Sequence, residues 1–309
     1  FTGDLDIPNS VTSIGGGAFS QCSGFTGALI IPDNITIIED STFSGCSGFT
    51  GKLIIPNNVT SIGASAFESC KGFTGDLIIP DNVTNIGRYA FSGCSGFTGK
   101  LQISRVSTIE YGTFYGCKGF TGALVIPDSV KEIKGREDRF MAMPGAFEGC
   151  AGFESLTIPE GVEVIGVSAF NGCTGIKGEL ELPNSVTTIA GRAFANCTGL
   201  TGTLTIPSGV IIMDVTQAAF DEEPAPGAFE GCTGLESLVI EEGAKKIGKR
   251  AFYGCTGLQG DLEIPNSVPE IGKDAFTSTS FDDILVHHEE GGITGAPWGW
   301  DGKVTWLGQ

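Results

Sequence analysis

Histidine is almost missing from this chain of 309 residues: there are two, His287 and His288, both close to the C-terminus. No serine or cysteine is singled out beside them, so a nucleophile–base pair has no support. Cys-x-x-Cys pairs are absent from the ten cysteines, which argues against the clustered ligand spacing of zinc sites. No Gly-x-Gly-x-x-Gly or phosphate loop sits between a strand and a helix. Positive charge is scarce: 18 basic residues face 36 acidic ones, a net charge of −18. That argues against nucleic acid, heparin and anionic membrane as partners, which need a basic footprint. No run of 18 apolar residues occurs, so no membrane-inserted helix is expected. No leader peptide is visible, and the chain opens in mid-repeat at Phe1-Thr2-Gly3, which reads as a processed or truncated chain.

What is present is one segment, repeated. Leu53 to Gly75 gives the type, and its phenylalanine recurs at 19, 43, 67, 91, 114, 147, 170, 194, 229, 252 and 276. Most steps are 23 or 24 residues, within the leucine-rich-repeat range. Leu53-x-Ile55 alternates as a short strand with two inward side chains, and Pro56 ends it for want of an N–H. Val59 and Ile62 mark a second extended stretch; Ala66, Phe67, Cys70 and Phe73 complete the apolar set around a tight turn. One coil cannot bury this set, so neighbours must stack and share a core. The expectation is a leucine-rich-repeat solenoid, an α/β-type horseshoe or arc rich in strands with short or helical turns. Eleven stacked coils over residues 1–283 would span about 50 Å. A capping segment, 284–309, would follow.

Ten copies carry Cys, and each has Gly two residues later, from Gly24 to Gly257. A left-handed glycine closing a helical turn is the expected reason. The glycine after the second-strand Ile is replaced by Glu39, Glu110 and Ala190, so positive φ is not expected there. The cysteines read as a column of buried free thiols, although adjacent coils lie close enough for disulfides. Thr12, Thr36, Thr60 and Thr84 form an outward run that reads as ladder stabilisation. Ile284-Leu285-Val286 reads as a last strand. Trp298, Trp300 and Trp306 suit a cap over the exposed end of the core, with a sugar-stacking site as the rival reading. His287-His288-Glu289-Glu290 is a weak metal candidate, because adjacent strand residues point to opposite faces.

Two features suggest binding. Ile30, Ile54 and Ile78 occupy the outward strand position of successive coils; they form either a contact patch or a strand-favouring choice of β-branched residues. Two inserts, 134–145 and 214–227, interrupt the repeat at the same point, and each places Phe seven residues on. Their candidate contact residues are Arg136, Arg139, Phe140, Met141 and Met143 in the first, and Phe220, Asp221, Glu222 and Glu223 in the second. Met suits adaptable surfaces; the alternative is that these side chains fold back over the coil edge.

Ile-Pro-Asn-Ser-Val-Thr-Ser-Ile-Gly and the following Ala-Phe-x-x-Cys (7–22) resemble the BspA-like leucine-rich repeats of bacterial surface proteins, and Gly-Ala-Pro-Trp-Gly (295–299) looks like their closing segment. The resemblance implies a cell-surface or secreted solenoid used in adhesion or host interaction, with no catalytic, cofactor or metal-binding residues to carry over. The expected function is non-catalytic binding of an extracellular protein or glycan by a monomer. The alternative is a spacer within a larger surface protein.

Overall fold

The computed structural model describes residues 1–103, 105–135, 143–214 and 226–308. Each repeat is a coil of two short strands and a tight turn. Leu53–Ile54 is the first strand of its coil and Ser61–Ile62 the second. Pro56 O accepts the Val59 N–H at 3.1 Å and reverses the chain between them. The strands are short because the apolar alternation that calls for them is short, and a proline follows at once.

All strand pairs among the described residues are parallel. Equivalent repeat positions pair: Leu29 with Leu53 and Ile30 with Ile54 on the first-strand side, Ile62 with Ile86 on the second. Inward residues therefore stack on their own equivalents, and Leu53, Ile55, Val59, Ile62, Ala66, Phe67, Cys70 and Phe73 are all buried. The eleven repeat phenylalanines form one unbroken column, with ring centroids 5.2–6.0 Å apart and planes within 2–11° of parallel. Neighbouring coils are also joined along the axis by backbone bonds at the turn: Phe43 N–H donates to Ala66 O and Phe67 N–H to Ala90 O, each at 2.8 Å. The threonine run does support the ladder, with Thr60 Oγ1 donating to Thr36 O at 3.1 Å.

The turn is not helical, and no helix occurs among the described residues. Glu68 N–H reaches Ser65 O and Cys70 N–H reaches Phe67 O, both at 3.1 Å. Ser65 (φ 54°) and Ser69 (φ 59°) break any continuing helix because both are left-handed.

In the regular copies the left-handed turn positions are thus the residue two before Phe and the residue before Cys, not the glycine after Cys. That glycine serves close approach instead. A Cβ at Gly72 would lie 2.1 Å from Phe49 O of the preceding coil, and one at Gly96 would lie 2.1 Å from Lys71 O. The same holds down the column to Gly257, 2.5 Å from Leu235 O. Gly63 and Gly87 do not have positive φ, as expected.

The cysteines are free, and all but Cys22 are buried. Each buried thiol donates to the repeat phenylalanine carbonyl one coil back, as Cys94 Sγ does to Phe67 O at 3.0 Å. That carbonyl already accepts the Cys70 N–H, so the thiol uses its second lone pair. Cysteine fits because it is small, apolar and still a weak donor. Burial pushes these thiols up, to about 11 at Cys46 and about 12 at Cys197 and Cys255, and well above the usual thiol range at the rest. Thr279, which replaces the cysteine of the last copy, turns its hydroxyl to Phe276 O of its own coil at 2.7 Å.

Strand Asp283–Val286 is not the last. Val304–Trp306 pairs with it in parallel, joining Leu285 to Thr305. Trp298 is 1% exposed, packs edge-on against Phe276 at 6.4 Å, and its carbonyl accepts the Phe276 N–H at 3.2 Å. In the repeats the carbonyl of an alanine, or of Thr42 or Thr113, fills that role, so the tail mimics the turn of one further coil.

Candidate functional site: the outward strand face

Alternation places the residue between the inward Leu and Ile on the solvent side of the first strand. Ile30, Ile54 and Ile78 are 57%, 47% and 53% exposed there. Ile30 and Ile54 are in register, and Ile78 pairs with Gln102 on the next coil. Exposed Val125, one coil beyond Gln102, extends the stripe and was not singled out from the sequence. Reading the same position past the third isoleucine would have found it.

The stripe forms the floor of two adjoining grooves. One, about 670 Å³, lies over Ile54 and Ile78; the other, about 900 Å³, lies over Ile78, Gln102 and Val125. They share Asp76, Ile78, Asp81 and Gln102. The rims carry charge set by two further repeat positions, the residue before the inward Leu and the loop after the first strand. The first rim runs Lys52, Asp76, Lys100; the second runs Asn57, Asp81, Arg105, Asp128. Asp76 Oδ1 accepts the Lys100 backbone N–H at 2.7 Å, which ties one rim together. The arrangement offers an apolar contact line with hydrogen-bonding and charged edges, a binding rather than a catalytic geometry.

Most insert candidates, Arg136, Arg139, Phe140, Met141, Phe220, Asp221, Glu222 and Glu223, lie outside the described residues. Met143 is half-buried, and its sulfur accepts the Tyr89 hydroxyl at 2.7 Å, two coils back from its own turn. Lys134, at the start of the first insert, pairs with Glu110 at 2.9 Å, and that hydrogen bond raises its pKa. Asp214, at the start of the second, holds Lys246 at 3.3 Å and accepts the Lys249 backbone N–H. Both inserts close in the same way: Gly145 N–H donates to Glu148 Oε2 at 3.0 Å, and Gly227 N–H to Glu230 Oε2 at 2.9 Å. A Cβ on either glycine would meet a carbonyl of the next coil, Ser168 O or Arg250 O. The shared Pro-Gly-Ala-Phe-Glu-Gly-Cys thus returns the chain to the repeat. Arg250 grips Glu230 with two bonds of 2.9 and 2.6 Å, and lies 3.6 Å over the Tyr253 ring.

Among the described residues no helix is long and apolar enough to cross a membrane. None of the curated proteins matches the chain. Among solved structures, a leucine-rich repeat protein from Bacteroides ovatus is 25% identical, with a TM-score of 0.57 over 99% of this chain and 84% of that one. A leucine-rich cell surface protein from Faecalibacterium prausnitzii is 21% identical (TM-score 0.42, covering 92% and 88%). The pneumococcal vaccine antigen PcpA is 14% identical (TM-score 0.49, covering 92% and 78%). The model of the BspA type leucine-rich repeat region matches residues 2–121, 143–224 and 225–292, most of the chain. The parallel coils, the laddered core and this match together place the chain in the BspA-type leucine-rich repeat family.

Proposed function

We propose that this chain is a non-catalytic repeat scaffold, secreted or displayed at a cell surface, that binds an extracellular protein as a monomer through its outward strand face. The observation that carries this reading is the exposed line of Ile30, Ile54 and Ile78, of which Ile54 and Ile78 lie inside a charged-edged groove. Isolated exposed apolar residues are ordinary, but a contiguous line framed by polar rims marks a contact surface. Solenoids bind along such extended faces. Membership of the BspA-type family supports the surface or secreted location, and the capping role of 284–309 over the solenoid 1–283 belongs to the same reading.

The test is an array of extracellular proteins and glycans probed with the chain and with an Ile54→Asp/Ile78→Asp variant. Both side chains are exposed, so the variant keeps its melting behaviour. Capture of a protein by the parent and not by the variant is the expected result. Capture of glycans alone moves the partner class. Partners held by a longer natural chain but never by this one would make it a spacer.

A further inference from the structure

We infer that the coil bearing Gln102 is an anion station within this groove, built to take a carboxylate of an extended peptide between two aliphatic contacts. The inference rests on the strand-face reading above. Lys100 and Arg105 lie on opposite rims of the same coil, with the Gln102 amide on the floor between them. Neither cation forms an ion pair among the described residues. The chain carries twice as many acids as bases, so two cations on one coil of a single groove stand out against Asp76, Asp81 and Asp128 on the coils to either side.

The coil before is the opposite: both of its rim residues, Asp76 and Asp81, are acidic, around Ile78. The groove therefore changes sign over one coil spacing, about 5 Å, and an occupant with a fixed charge would be held in one register. The wider surface agrees: ten of the 18 basic residues lie between 52 and 139, with only eight of the 36 acidic ones. Screening over about 8 Å at physiological salt mutes the acids of distant coils, whereas Asp76, Asp81 and Asp128, one coil away, act within that length and frame the station on both sides.

The chemistry of the occupant follows from the lining. Lysine, arginine and a glutamine amide all donate, which matches a carboxylate. Ile78 and Val125, one coil to either side, are aliphatic, and among the described residues no aromatic ring lines either groove. An aliphatic floor suits Val, Leu or Ile side chains better than the faces of sugar rings. The occupant is accordingly a peptide segment with Asp or Glu between aliphatic residues.

Labelled hexapeptides centred on Val-Glu-Val and Val-Gln-Val, titrated by fluorescence polarisation, test this, with an oligoglucuronate as the glycan probe. The Glu peptide should bind about tenfold more tightly than the Gln peptide, and the preference should shrink as salt rises. Lys100→Ala/Arg105→Ala should remove the preference without changing the melting curve, whereas Ile78→Ser should weaken both peptides. Equal binding of the two peptides, or a preference that survives in the double variant, overturns the station. Oligoglucuronate bound in place of either peptide, and lost in the double variant, overturns the peptide assignment. If the peptides fail to discriminate while the array partner is still lost with Ile54→Asp/Ile78→Asp, only the station falls. If neither array nor peptide binds, both readings fall.

Discussion

The first and last coils of this chain contain the same repeat and pack it differently. At the N-terminal end Phe1 is 92% exposed although its ring stacks on Phe25, and Leu5, Ile7, Val11, Phe19 and Cys22 are only half-buried. At the other end Trp298 covers Phe276, which is fully buried. Phe19 and Phe91 occupy the same repeat position, so the difference between them comes from the neighbouring coils alone. In this fold a coil does not own its core; the adjacent coils supply it.

The largest expected effect sharpens that comparison through pH. The buried thiols have raised pKa values in the folded chain, while an unfolded thiol titrates near 8.5. Above that pH the unfolded state releases protons that the folded state keeps, so stability is full below it and falls as pH rises. From pH 7 to 9 each buried thiol should remove about 0.8 kcal/mol, several kcal/mol for the column. Chemical denaturation at both values measures it, and equal midpoints would show that the thiols are not sealed. Cys22, half-buried where the other nine are buried, should be the first to react with an alkylating reagent in the folded chain.

Next in size is truncation of the phenylalanine column. Phe91→Ala should cost about 3–5 kcal/mol, and Phe19→Ala about half as much, because its ring already meets water. A loss within about 0.5 kcal/mol at Phe91 would break the core assignment. Removing 287–309 should open the closed end: Trp298 leaves Phe276, and the shortened chain should associate, as sedimentation would show. A monomer with unchanged melting would rule out the capping role. The smallest effect tests close approach. Gly72→Ala should cost about 1–3 kcal/mol, because its Cβ meets a fixed carbonyl of the preceding coil. Gly24→Ala has the same nominal contact, 2.1 Å from Phe1 O, but with the terminal residue. That neighbour can give way, so the cost there should be a few tenths of a kcal/mol. Equal costs would contradict the ends comparison.

Much of this fold was legible because the repeat compares each position with itself. Inward Leu53, Ile55, Val59, Ile62, Phe67 and Phe73 followed from periodicity, and the cysteine column from its strict recurrence. Recurrence did not reveal why a residue recurs. The glycine after Cys suggested a left-handed turn, whereas its cause is the proximity of the preceding coil, a distance that no single copy encodes. The helical form of the turn was likewise open, and left-handed Ser65 and Ser69 settle it, with the penalty for φ > 0 in non-glycine residues met by coil stacking. Alternation with the inward Leu and Ile marks Ile30, Ile54 and Ile78 as outward, and they are exposed. The rim charges around them were not legible, because they sit at two other repeat positions that only folding brings beside the stripe.

The hydrogen bonds that link Phe43 to Ala66 and Phe67 to Ala90 run along the long axis of the molecule. Tension applied between the two ends would load them in series, from one coil to the next, so the weakest junction yields first and the others hold. Each 24-residue coil that lets go would release about 80 Å of chain.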